Sequence, residues 1–269
     1  MHPWQATILG IVEGLTEFLP VSSTGHLILA ARVLQLHGDA AKTFEVVIQA
    51  GALAAVLGLY RTHLGAMWEG LLGRNARGRQ LLFSLAISFS PAAVAGIFLR
   101  KAIKDHLFST WPVVWALALG GVLMILSERW FAGRQPSTDK TLHTVTFKEA
   151  LFIGCIQCLA LWPGTSRSMV TILAGLTLGW PATMAAEYSF LLAVPVLGAA
   201  TLLDLVKGGS LLVGQMGWVS ILCGYAAAGI VAAIAIKAFI HHLTRNGLAP
   251  FGWYRVGLAA VIALIGWLR

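Results

Sequence analysis

Apolar runs of membrane-spanning length follow one another along this chain, separated by short polar connections. A helical span needs about 20 residues, and six stretches are long and apolar enough: 44–60, 81–99, 113–130, 185–205, 218–240 and 254–268. All six are expected to be helices, because lipid leaves backbone groups no partner outside a helix or a closed barrel. No stretch alternates with the period of two that a barrel strand requires.

Two further stretches are apolar but broken. Residues 3–33 carry Glu13, Glu17, Pro20 and a run of hydroxyls, and residues 152–178 carry Pro163-Gly164 at their middle. Each reads as a short helix, a break and a second short helix, that is, a re-entrant hairpin. Such backbone is tolerated at membrane depth only where protein covers it or a cavity wets it. The two breaks resemble each other, and one gap pairs Glu13 with Gln157, Pro20 with Pro163 and Ser23 with Ser166. Glu45 then follows Pro20 by 25 residues and Glu187 follows Pro163 by 24, each at the start of the next apolar run. The expectation is one membrane domain over 1–269 built from two repeats, 1–130 and 150–269, each a hairpin plus three spans. An odd number of spans inverts the second repeat, so the hairpins enter from opposite faces and meet near the midplane.

Composition supports the membrane class. Only 11% of the 269 residues are charged and 58% are hydrophobic, whereas soluble domains carry about a quarter charged residues. The net charge of +8 does not point to nucleic acid, because the basic residues sit in connections between spans. Arg61, Arg74, Arg77, Arg79, Arg129, Arg134, Lys140, Lys148, Lys237 and Arg245 fall on one side, and Arg100, Lys101, Lys104, Lys207 and Arg269 on the other. The excess marks the first side as cytoplasmic, which puts the first hairpin's mouth outside. Cys155, Cys158 and Cys223 lie in apolar stretches without a second Cys/His pair and read as filling. The first residues lack the basic start and small-residue cleavage site of a signal peptide. Trp111, Trp130, Trp218, Trp253 and Tyr254 read as interface anchors.

Chemistry concentrates at the breaks. Glu13 and Glu17, four apart, share a helix face. Two carboxylates in an apolar setting share a proton, bind a hard cation such as Mg²⁺ or Ca²⁺, or hydrogen-bond the opposite hairpin. After Pro20, Ser22, Ser23 and Thr24 open a new helix, where hydroxyls and free N–H groups attract phosphate or serve only as caps. His26, three residues after Ser23, is a candidate for proton transfer or a satisfied core histidine. In the second break, Arg167 follows Thr165-Ser166 and precedes Ser168. A guanidinium there suits bidentate phosphate binding or an ion pair with Glu13 or Glu17. Gln49 lies one turn beyond Glu45 and is expected to line the cavity. Glu45 and Glu187 read mainly as structural.

The block Glu13-Gly-Leu-Thr-Glu17-Phe-Leu-Pro20-Val-Ser22-Ser23-Thr24-Gly25-His26, the later Thr43-Phe44-Glu45-Val46-Val47-Ile48-Gln49, and Leu161-Trp162-Pro163-Gly164-Thr165-Ser166-Arg167-Ser168 resemble the signature blocks of bacterial undecaprenyl-diphosphatases of the bacitracin-resistance type. The resemblance covers essentially the whole chain. It implies hydrolysis of undecaprenyl diphosphate to the monophosphate and inorganic phosphate, which recycles the lipid carrier for the cell wall. It also implies stimulation by a divalent cation and an inner-membrane location with the site facing outward. Under it Ser23, His26, Glu17, Glu13 and Arg167 are the catalytic set. Ser22, Thr24, Thr165, Ser166, Ser168 and Gln49 join Arg167 in binding substrate, and Glu13 and Glu17 hold the cation. Whether Ser22 or Ser23 attacks, and whether a phosphoserine forms, stays open, as does a homodimer.

Two other classes fit parts of the pattern. A polyprenyl-phosphate transporter or flippase would also use inverted repeats with broken helices. A type-2 phosphatidic-acid phosphatase is faintly suggested by Ser23-Thr24-Gly25-His26. That class needs a histidine soon after a Ser-Arg pair, and after Ser166-Arg167 none comes before His241.

Overall fold

The computed structural model describes residues 1–36, 39–107, 109–131, 133, 137 and 139–267, with backbone only at 39–43, 100, 104, 204–205, 207–216 and 266–267. Of the charges used to orient the chain, Arg134 and Arg269, like Leu268 of the last span, lie outside the described residues, and so do the side chains of Arg100, Lys104 and Lys207. Eleven α-helices are described: α1 (Pro3–Thr16), α2 (Ser23–Val33), α3 (Asp39–Leu59), α4 (Arg61–Leu71), α5 (Ala76–Leu107), α6 (Thr110–Phe131), α7 (Phe147–Gln157), α8 (Arg167–Thr177), α9 (Ala182–Met216), α10 (Trp218–Leu243) and α11 (Ala249–Trp267). A 3₁₀ turn, Cys158–Leu161, joins α7 toward α8. Among the described residues there is no strand. The chain is an all-α membrane protein.

Each expected span falls on one helix. Among the described residues four segments, Ala76–Leu99, Thr110–Phe131, Ala182–Leu203 and Trp218–Leu243, are each long and apolar enough to cross a bilayer. The run at 44–60 continues instead into α4, bent by 78° at Tyr60. The sequence pattern assigned no helix to 61–71, whose few apolar positions sit among Arg61, His63 and Glu69. The apolar part of α11, Ala249–Ile265, is shorter than the others. Phe98, Ile97, Trp115, Ile230 and Ile234 project outward from α5, α6 and α10 with more than half their surface exposed, as lipid-facing side chains do.

α9 runs through the centre. Its Tyr188, Phe190, Leu191, Leu192 and Ala193 are almost wholly buried, and α3, α5, α8 and α10 pack around it. The hairpins' first arms lie on glycine seams. A Cβ at Gly14 of α1 would come 2.6 Å from the Ala228 carbonyl oxygen of α10. A Cβ at Gly154 of α7 would come 2.6 Å from the Ser88 carbonyl oxygen of α5. Only glycine lets the backbones approach this closely. Pro91 inside α5 cannot donate to the Ile87 carbonyl, and the Ser90 hydroxyl donates to it instead at 2.9 Å, the usual remedy for proline in a membrane helix.

At its N-terminus α7 is closed by a capping box. Thr146 and Glu149 each accept from the other's backbone N–H. Burial pushes the Glu149 carboxyl up, but hydrogen bonds from Lys140 at 2.7 Å, from Thr146 and from Trp180 outweigh it and hold it down at about 2.

Candidate active site

Both hairpins break in the same way. α1 ends at Thr16, and the chain turns through Glu17–Val21 to Ser22, which has φ 72° and ψ 99°. α7 and its 3₁₀ turn lead through Pro163 and Gly164 to Ser166, which has φ 72° and ψ 112°. A side chain in this left-handed region costs on the order of 1–3 kcal/mol and persists only where surroundings impose it. Each serine then caps the second arm, Ser22 Oγ accepting from Gly25 N–H and Ser166 Oγ from Met169 N–H. The structural counterpart of Ser166 is therefore Ser22. The sequence pairing with Ser23 slips by one, because the two breaks differ in length and only backbone geometry marks the cap. Ser23 instead corresponds to Arg167, the first residue of the facing half-helix.

The arms bring two helix N-termini to one cavity of about 140 Å³, lined by Glu17, Ser22, Ser23, Thr24, Gln49, Ala160, Trp162, Pro163, Gly164, Ser166 and Arg167. The first N–H groups of a helix have no partner inside it, and they present partial positive charge. Ser23 Oγ donates to Glu17 Oε2 at 2.6 Å. Glu17 Oε1 lies 3.6 Å from Arg167 Nη2, with the two side chains 7% and 8% exposed. At that burial water screens the pair weakly. Arg167 Nη1 donates to the Ser189 carbonyl at 2.7 Å and to Ser189 Oγ at 3.3 Å. Thr171 holds Ser189 from below, donating to its Oγ at 2.7 Å. Arg167 Nε and Nη2 have no hydrogen-bond partner. The guanidinium is thus anchored on one edge and carries unused donors on the other, the arrangement that receives a phosphate in bidentate fashion.

The remaining expected site residues sit around this cavity. Gln49 lines it. Ser168 is buried, donating to the Leu19 carbonyl at 3.0 Å and contacting Ser166 Oγ at 3.0 Å, so it ties the second break to the first. Thr165 is buried in the turn, its N–H on the Trp162 carbonyl. Glu13 lies behind the cavity on α1, 1% exposed, and neither carboxylate oxygen has a hydrogen-bond partner. His26 is turned away from the lining. Its Nδ1 is 2.7 Å from the Ser22 carbonyl and its Nε2 2.7 Å from Tyr254 Oη. A carbonyl only accepts, so Nδ1 carries the proton and Nε2 accepts from the tyrosine. Of the secondary candidates, Glu45 is exposed on α3, and Glu187 lines a separate cavity of about 490 Å³ with Tyr60, His63 and Lys237.

Sequence reasoning missed Ser189, Thr171 and Arg255. Arg255 is fully buried among four backbone carbonyls. A signal existed for it, since it is the one charged residue within the apolar run 254–268, and an ionisable residue in a span marks function. Ser189 and Thr171 gave no such signal, because a lone hydroxyl in a helix satisfies itself on its own backbone.

Among the described residues no group of three His, Cys, Asp or Glu side chains is placed to hold a metal. The two orphaned oxygens of Glu13 with Glu17 nearby fit a hard cation whose other ligands come from a phosphate, as Mg²⁺ sites on phosphoryl substrates are built.

A family model described as "Bacitracin resistance protein BacA" matches residues 6–261. The chain is 48% identical over 263 residues to an undecaprenyl-diphosphatase of Sorangium cellulosum, covering 97% of this chain and 86% of that one. It is 44% identical over 262 residues to one of Nitrosomonas europaea (97% and 93%) and 44% over 258 residues to one of Maridesulfovibrio salexigens (96% of each). With both signature breaks folded onto one cavity and the match running almost end to end, the chain belongs to the bacitracin-resistance BacA family.

Proposed function

We propose that this protein hydrolyses undecaprenyl diphosphate to undecaprenyl phosphate and inorganic phosphate, recycling the wall-polymer carrier and conferring bacitracin resistance. The observation that carries the reading is the serine–carboxylate–guanidinium chain Ser23–Glu17–Arg167 at two converging helix N-termini. The terminal phosphate sits on the free edge of Arg167 and the N–H groups of α2 and α8, while the prenyl tail stays in lipid. Ser23 Oγ forms the new bond to the terminal phosphorus as the bond to the bridging oxygen breaks, or it directs a water that does so. Glu17 takes the proton, since its Oε2 already receives the Ser23 hydroxyl, and passes it to the departing prenyl monophosphate. On the covalent route a water then displaces Ser23 from phosphorus, its proton returning through Glu17 to Ser23 Oγ as inorganic phosphate leaves. The salt bridge to Arg167 opens as phosphate enters. His26 then acts through the Ser22 turn it buttresses. Phosphoryl transfer needs chiefly positioning and charge neutralisation. Glu13 and Glu17 are the residues that would hold Mg²⁺ or Ca²⁺, which when bound neutralises charge on the departing phosphate.

The hairpins belong to repeats 1–130 and 150–269 of opposite orientation. The matched serine turns and the reciprocal packing of α1 on α10 and α7 on α5 support this. The excess of basic residues on the other face supports a cavity opening to the outer side of the bacterial inner membrane.

The test is phosphate release from undecaprenyl diphosphate in detergent, wild type beside Arg167→Ala, Glu17→Ala and Ser23→Ala. Release by the wild type with no second compartment excludes transport alone, and equal rates in all four would remove the site. Chelation with EDTA should lower the rate, and added Mg²⁺ or Ca²⁺ should restore it. A labelled phosphoryl-enzyme in a rapid quench favours covalent attack, and its absence with active enzyme favours water.

A further inference from the structure

Arg255 stands at the junction of both breaks and α6. Its Nη1 donates to the Pro20 carbonyl at 3.3 Å, and Nη2 to the Gly164 and Ala116 carbonyls at 3.0 Å each. Nε donates to the Leu117 carbonyl at 3.4 Å. Pro20 and Gly164 are the turning points of the first and second hairpins. The four acceptors belong to three separate stretches of backbone, and four of the five guanidinium N–H groups are used. The surrounding glycines make room for it. A Cβ on Gly120 of α6 would collide with Arg255 Nη2 and come 2.8 Å from Met169 Sδ, and Gly121 and Gly252 let α6 and α11 close to backbone contact. Only a flat fork with donors on two edges can reach carbonyls on both hairpins at once, and a lysine ammonium cannot.

We propose that Arg255 is a positioning residue for phosphoryl transfer, clamping the turns of the two hairpins so that Ser23, carried by one, stays in register with Arg167, carried by the other. The inference rests on the hydrolase reading above and deepens it. Nothing on either hairpin alone fixes that register. The Ser168–Leu19 hydrogen bond and the Glu17–Arg167 ion pair also tie the breaks, but each joins one point to one point, and the ion pair opens when phosphate enters. The clamp also sets a cation behind Gly164, a residue of the cavity wall. Its partners are neutral carbonyls, so its charge adds to that of Arg167 in drawing in a diphosphate.

The test compares wild type with Arg255→Lys, which keeps the charge and loses the fork, and with Gly120→Ala, which keeps the arginine and displaces its Nη2. Phosphate release from undecaprenyl diphosphate is measured together with a spin-label distance between Leu15→Cys and Leu159→Cys, one outward-facing site in each hairpin, with Cys155, Cys158 and Cys223 replaced by serine. In both variants kcat should fall about a hundredfold, the cost of roughly 1 Å of misplacement, with KM changed less than about threefold and a broadened label distribution. Gly120→Ala carries the test if Arg255→Lys does not fold. Wild-type kcat in either folded variant would overturn the clamp, as would a lower kcat with an unchanged distribution. If the wild type releases no phosphate yet the distribution broadens, the hydrolase reading fails and the clamp stands.

Discussion

Replacing Arg167 with lysine isolates the geometry of the guanidinium from its charge. The arginine spends Nη1 on Ser189, while Nε and Nη2 make no hydrogen bond. Charge-assisted hydrogen bonds contribute about 1.5–3 kcal/mol each. A lysine ammonium can replace one of the two phosphate contacts as a point charge, so the substitution loses about one bond. At about 1.36 kcal/mol per tenfold, kcat/KM for Arg167→Lys should fall about 10- to 150-fold. Arg167→Ala loses both contacts and leaves the buried Glu17 carboxylate without its cation, so it should fall about 10²- to 10⁴-fold on the same arithmetic. The assay is phosphate release from undecaprenyl diphosphate in detergent micelles across a substrate series. Arg167→Lys at wild-type kcat/KM, or equal losses for lysine and alanine, would refute bidentate capture by this side chain.

Other outcomes follow from the same geometry. Glu17→Gln keeps a hydrogen-bond acceptor for Ser23 but removes the base, so kcat should drop about 10²- to 10⁴-fold with little change in KM, measured by the same assay. Gly14→Ala drives a Cβ to 2.6 Å from the Ala228 carbonyl; overpacking of this kind costs about 1–3 kcal/mol and should lower the detergent melting temperature. Glu149, held at about 2, lies below its unfolded value of about 4.3. Its stabilisation is therefore complete above about pH 5 and is lost as pH falls through about 2. The difference in melting temperature between wild type and Glu149→Gln should be constant near neutrality and shrink toward pH 2; a pH-independent difference would contradict that assignment.

Much of the architecture was legible because its causes are local. Runs of apolar residues become helices wherever lipid denies the backbone other partners, so each expected span fell on one helix. Pro20 and Pro163-Gly164 end helices by covalent geometry, so both breaks were legible too. α4 was not, because the bend at Tyr60 depends on how its helix meets neighbours rather than on a breaking residue. The hydroxyl, carboxylate and guanidinium groups of the cavity announced themselves as polar islands in apolar sequence. His26 was also visible as one of them, yet its direction was not, because the Tyr254 hydroxyl that holds it is 228 residues away.

The amino-acid sequence by itself determined a membrane-embedded helical chain with two interrupted segments and the kinds of side chain at each interruption. Hydropathy, proline geometry and glycine freedom act over a few residues. Only the tertiary structure decided that Ser22 and Ser166 are the matching turns, that Ser189 aims Arg167, and that Arg255 joins the two hairpins. These depend on contacts 22 to 235 residues apart in the chain. No local preference encodes such a contact, and each arises because a buried donor must find an acceptor in whatever the packed helices bring within reach.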